Sequence, residues 1–78
     1  MATLKQIRQD AGLSAEELAH LAGVSLATVS RVERNQPTRR LTVGKIVHAL
    51  NAHTGGNLTI HDLDGVQLLE ENEQPSAA

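Results

Sequence analysis

The sequence has no cysteine, no phenylalanine, no tyrosine and no tryptophan. Without thiols there is no disulfide framework and no cysteine-based zinc finger, which excludes a knotted secreted module and fits a reducing, intracellular setting. Without aromatics the core has to be built from Leu, Ile, Val and Ala, and there is no platform on which single-stranded bases could stack, as in cold-shock or RRM modules. No window approaches the roughly 18 consecutive apolar residues of a spanning helix, so neither a membrane segment nor a secretory leader is expected and the location should be cytoplasmic. A Gly-rich phosphate loop is missing, as is a nucleophile with an adjacent base, so the chain does not read as an enzyme. His48 and His53 are five positions apart, off the i, i+4 face, and have no cysteine beside them; the four histidines are read as surface or interface residues, with no metal or cofactor.

Seventy-eight residues make one domain at most, with a core small enough that self-association is the first suspicion. The formal charge of −2 hides a division. Residues 1–53 hold all seven Lys and Arg against Asp10, Glu16, Glu17 and Glu33, a net of +3, whereas residues 54–78 hold Asp62, Asp64, Glu70, Glu71 and Glu73 with no base, a net of −5. A basic binding part followed by an acidic appendage is the reading such asymmetry supports.

Four small hydroxyl residues each precede a helical pattern, flanked by an apolar residue on one side and another five places later. Leu13-Ser14-Ala15-Glu16-Glu17-Leu18 is the fullest instance, with Ser14 as cap, Glu17 completing a capping box and Leu13 stapled to Leu18. Thr3, Ser25 and Thr42 repeat it, and each cap is worth about 1 kcal/mol. Gly12, Gly23, the Asn35-Gln36-Pro37 break and Gly55-Gly56 mark the ends. Helices are predicted over 3–11, 15–22, 26–35 and 43–53. Gly44 is the misfit, and close packing against a neighbouring helix is the reason offered for it.

After Gly55-Gly56 the pattern alternates through Asn57-Leu58-Thr59-Ile60-His61-Asp62-Leu63, which predicts a strand. A strand needs a partner for its backbone groups. Asp64-Gly65 can close a hairpin with Val66 to Leu69, or Leu58, Thr59, Ile60, His61 and Asp62 can pair with their copies in a second subunit. The division expected is therefore a basic helical binding unit over 1–54, a dimerisation strand or hairpin over 55–70, and a disordered acidic tail over 71–78.

Only Gly23, Val24 and Ser25 separate the second and third helices, which forces a steep crossing of helix-turn-helix type. Val29 and Val32 face inward on the third helix, leaving Leu26, Ala27, Thr28, Ser30, Arg31 and Arg34 outward. Arg31 can fork onto guanine, Ser30 can meet either kind of base, and Leu26 and Ala27 suit thymine methyls. Ser25 and Thr28, with the free N–H groups at the helix start, suit phosphate. Two alternatives stay open: Leu26 as an exposed or packed hydrophobe, and Arg39 and Arg40 as solvated loop charges instead of backbone contacts.

The run Leu13-Ser14-x-x-Glu17-Leu18-Ala19-x-x-Ala22-Gly23-Val24-Ser25-x-x-Thr28-Val29-Ser30-x-x-Glu33 resembles the Cro/C1-type (XRE) helix-turn-helix family, over about residues 3–53. The resemblance implies an all-α, lambda-repressor-like domain of four to five helices and a homodimeric repressor that binds an inverted-repeat operator, often its own, on double-stranded DNA. It puts base reading on Leu26, Ala27, Ser30 and Arg31, and phosphate contacts on Ala15 at the start of the second helix, on Ser25 and Thr28, and on Arg34, Arg39 and Arg40 at and after the end of the third. It also makes Arg8 and Glu33 a structural ion pair. The following strand is most like the Hip-type antitoxins, which pair C-terminal strands across a homodimer, so a cognate toxin is the alternative partner. The implied setting is bacterial or phage and associated with the nucleoid. Where the family often has Gln to brace a phosphate, this chain has Ala15, leaving only the backbone N–H.

Overall fold

The computed structural model describes residues 2–69. The chain runs from a short strand β1 (Ala2–Thr3) into four helices, α1 (Leu4–Asp10), α2 (Ala15–Ala22), α3 (Leu26–Glu33) and α4 (Arg40–Thr54), with β2 (Thr38–Arg39) between the last two. A 3-10 turn (Ile60–Asp62), β3 (Leu63–Asp64) and β4 (Leu68–Leu69) follow.

Hydroxyl caps start three of the helices. Thr3 and Ser14 each accept a backbone N–H from the residue three on, and Gln6 and Glu17 reach back to the caps, forming complete capping boxes. Ser25 caps α3 by accepting from the Thr28 N–H at 3.1 Å. The ends of α1, α2 and α3 close alike, with a left-handed residue followed by an N–H bonded five residues back: Leu13 to Arg8, Val24 to Ala19 and Gln36 to Arg31. At the end of α3 the left-handed residue is Asn35, φ 63, where the other two use glycine.

The inner faces converge on one aliphatic core. Leu4, Leu18, Val29, Val32, Val43, Ile46 and Leu50 are at most 2% exposed, and Leu63 closes the layer from the C-terminal side. Each such side chain contributes roughly 1.5–3 kcal/mol of burial. The capping staple on α2 is in place, with Leu13 and Leu18 both buried.

Three sequence expectations are corrected. Residues 57–62 are not a strand. Asn51 on α4 takes both backbone groups of Leu58, donating to its carbonyl at 2.9 Å and accepting its N–H at 2.8 Å. Thr59 and Asp62 then form their own capping box around the 3-10 turn, so local side-chain bonds outcompete a ladder over Leu58, Thr59, Ile60, His61 and Asp62. Neither is there a hairpin at Asp64-Gly65. β3 pairs in parallel with β1 (Ala2 with Leu63, Thr3 with Asp64), and β4 pairs in parallel with β2 (Thr38 with Leu68, Arg39 with Leu69). The described part is thus mostly helical with two minimal ladders, both formed within the chain. The 71–78 tail lies outside the described residues.

The second correction concerns α4, which starts at Arg40 and not at 43. The β2–β4 ladder holds Thr38 and Arg39 extended, and the helix propagates from the next residue, so Arg39 takes the cap position, where its side chain makes no capping hydrogen bond, and Thr42 lies inside the first turn. Leu41 is consequently not a staple and is 77% exposed. Third, Gly44 does not permit a close helix approach: a Cβ there would meet no atom within 4 Å.

Candidate nucleic-acid interface

The turn between α2 and α3 is three residues long, closed by Gly23 at φ 72 and by the Val24 N–H on the Ala19 carbonyl at 3.0 Å. It is too short for the two helices to lie antiparallel, so α3 is carried across α2 and one long side of it is left uncovered. Val29 and Val32, fully or almost fully buried, lock the inner side.

Glu33 provides a second lock. The Arg8 guanidinium donates from Nε to Oε2 at 2.6 Å and from Nη2 to Oε1 at 3.3 Å, while Nη1 donates to the Leu13 carbonyl at 2.9 Å. The two side chains are 10% and 12% exposed. The planar fork therefore ties α1, the α1–α2 connection and the C-terminal turn of α3 together, and Arg8 is fully engaged in that structural task.

On the uncovered side, Ala27 and Arg31 are exposed, Ser30 is half-buried between them, and Arg34 at the end of the helix is exposed. Ala27 and Arg34 are seven positions apart and nearly eclipsed along the axis, with Arg31 one turn from each, so these side chains form one row. Leu26, the first residue of α3, flanks the row and is 45% exposed, which makes it a surface side chain and not a core one. At the amino end, the Ser25 and Thr28 hydroxyls are 2.9 Å apart, and Ser25 is exposed. Ala15 is the half-buried first residue of α2.

Beyond α3 the chain stays close. Asn35 turns it back, Thr38 is buried and donates its hydroxyl to the Gln36 carbonyl at 3.1 Å, and the exposed Arg39 and Arg40 lead into α4. Four arginines, Arg31, Arg34, Arg39 and Arg40, thus follow one another along the last turn of α3 and the connection after it, with no acidic residue in the first turn of α4. Leu58 and Ile60, by contrast, are partly buried against the core, and Thr59, His61 and Asp62 surround the 3-10 turn; these five are not part of the row.

A projecting helix after a three-residue turn, small and basic on its outer side, defines a helix-turn-helix DNA-binding domain. A family model described as helix-turn-helix matches residues 4–55, two thirds of the chain, and the chain belongs to this Cro/C1-type (XRE) family. It is a DNA-binding transcription regulator of a family that is regulatory and not typically enzymatic. No curated protein and no solved structure matches it. No helix among the described residues is long and apolar enough to cross a membrane, and no group of three or more His, Asp or Glu in that part converges as a metal site.

Three surface features carried no local signal in the sequence. Leu21 and Leu41, exposed by 50% and 77%, border a shallow groove between α2 and α4 with Gly44, Lys45, His48 and Ile60. Gly65 lies against Asn35. Finally, β4 runs alongside the arginine-bearing connection.

Proposed function

We propose that the protein is a homodimeric transcriptional repressor that binds an inverted-repeat operator and regulates its own operon. The observation carrying this reading is the row Ala27, Ser30, Arg31 and Arg34 on a helix held rigidly from behind by Val29, Val32 and the Arg8–Glu33 fork. In this reading α3 enters the major groove, with Leu26, Ala27, Ser30 and Arg31 at base edges. Ser25, Thr28, Arg34, Arg39, Arg40 and the backbone N–H of Ala15 meet phosphates.

The dimer is supported by the small aliphatic core and by the apolar edge of Leu21, Leu41 and Ile60, which a second subunit would cover beside the arginine-bearing connection. The same edge would serve an antitoxin contact with a cognate toxin. Co-purification of the wild-type chain and of a Leu41→Glu variant with the product of the neighbouring gene separates the two. Binding to duplex DNA, measured by fluorescence anisotropy across a salt series, tests the reading itself. It predicts log K falling with log salt by about 0.9 per phosphate contact. Salt-insensitive or undetectable binding would overturn it.

A further inference from the structure

Leu21 stands at the middle of an exposed face made by α2 and α4. It is 50% exposed and lines two grooves at once, one with Glu16, His20 and His53, the other with Leu41, Gly44 and Lys45. The amino end of α2 therefore lies by the carboxyl end of α4. On α4, Leu41, Lys45, His48 and Ala52 follow one another at three- and four-residue spacing, and all four are exposed. His48 shares a groove with Leu21, which puts the centre of the face at that pair, with Leu41 about 10 Å to one side and His53 about 8 Å to the other along the helix axis.

The charges divide along this face. Glu16 and Glu17 border one end and Lys45 the other. Glu17 is committed to the cap of α2, but among the described residues neither Glu16 nor Lys45 has an ion-pair partner within the chain. Arg40 also borders the basic end; Lys45 is the cation there that DNA binding leaves unused. A face that is acidic at one end, basic at the other and apolar between is complementary to itself, because a half-turn about its centre lays acid on base twice. The same half-turn brings two Leu21 side chains together and sets each Leu41, 77% exposed, over the apolar groove beside Leu13 and Leu21 of the other copy. An unrelated partner would require no such correspondence between the two ends.

We propose that this α2–α4 face is the homodimer interface of the free protein. Two copies meet about a two-fold axis at Leu21, and Glu16 of each copy pairs with Lys45 of the other. This rests on the dimeric reading above and assigns the dimer a surface, in place of the segment 57–62. Leu21 supplies the central apolar contact, where binding energy concentrates. The two ion pairs lie at the rim, where they fix register and orientation more than affinity.

The test is sedimentation equilibrium of the full chain near neutral pH and at low salt, for wild type and for Leu21→Glu, Glu16→Lys and Lys45→Glu. All three positions are exposed, and unchanged helical content by circular dichroism shows that each variant folds. Wild type is expected to dimerise without DNA, and Leu21→Glu to dimerise about a hundredfold or more weakly. Glu16→Lys and Lys45→Glu each place like charges opposite one another at both rims, so each alone should associate about tenfold or more weakly. An equimolar mixture of these two should associate nearly as well as wild type, because in the mixed dimer Lys meets Glu at both rims. High salt should erase the charge effects and spare that of Leu21→Glu. A Leu21→Glu chain that dimerises like wild type overturns the proposed face while leaving the dimeric reading intact. A mixture that associates no better than its components overturns the two-fold pairing. A wild type that is monomeric without DNA overturns the proposal as well, and sedimentation with the selected operator duplex then judges the dimeric reading separately: two chains per duplex uphold it, and one chain removes it.

Discussion

Arg8 and Glu33, 25 residues apart in sequence, form a forked ion pair whose third nitrogen arm is fixed on the Leu13 carbonyl. With both side chains largely withdrawn from water, this is not a surface pair of marginal worth. Truncating one partner leaves the other charge buried and unpaired, and Arg8→Ala should cost about 3 kcal/mol, a large share of the stability of so small a domain. Urea denaturation checks this. The paired replacement Arg8→Met, Glu33→Leu should recover part of the loss, since it removes the unpaired charge while still leaving the buried Leu13 carbonyl without the Arg8 donor.

Two glycines should respond to alanine in opposite ways. Gly65 has φ +77, and a Cβ added there would fall 2.5 Å from Asn35 Oδ1, so Gly65→Ala meets a left-handed backbone that strains any side chain and also displaces the Asn35 amide, and it should destabilise by about 1–2 kcal/mol. Gly44 lies inside α4 with open space where its Cβ would be, so Gly44→Ala should stabilise by about 0.5–1 kcal/mol through helix propensity alone. Thermal melts of both variants test the pair.

Asn51 anchors the C-terminal segment by bonding both backbone groups of Leu58. Asn51→Ala should leave these groups without a partner at a cost of about 1–3 kcal/mol. The loss should be local: amide exchange should accelerate at Leu58 to Leu69 more than in α2 or α3. Uniform acceleration through the whole chain would contradict a segment fastened there.

The helices were legible in the sequence because their starts depend on chemistry confined to four residues. Thr3, Ser14 and Ser25 all cap as their spacing suggests. Thr42 has the same spacing and does not cap, because a long-range ladder through Thr38 and Arg39 sets the start of α4 earlier. The alternation of Leu58 and Ile60 does report burial, since both pack on the core, but it says nothing of who satisfies the backbone, and a side chain seven residues upstream does so for Leu58. The two parallel ladders unite residues about 30 and 60 positions apart over two residues each, a length at which no periodicity can register. The row on α3 was readable for the opposite reason: a helix fixed by Val29 and Val32 determines by geometry alone which side chains face out.

Arg31 and Arg40 should separate by their effects on DNA. In the proposed complex Arg31→Ala removes a base contact, costing about 1–3 kcal/mol on the preferred operator and relaxing the preference at one position of each half-site. Arg40→Ala removes a phosphate contact, weakening binding to all sequences alike and reducing the salt slope by about 1. Affinity series on operator and scrambled duplexes distinguish the two patterns.

The central claim, that α3 of each of two subunits reads duplex DNA, is tested most directly by selecting bound sequences from a pool of random duplexes. The account predicts an enriched inverted repeat whose half-site centres lie about one helical turn, roughly 34 Å, apart. Enrichment of a single unrepeated site would contradict the dimer, and no enrichment at all would contradict base reading by Leu26, Ala27, Ser30 and Arg31.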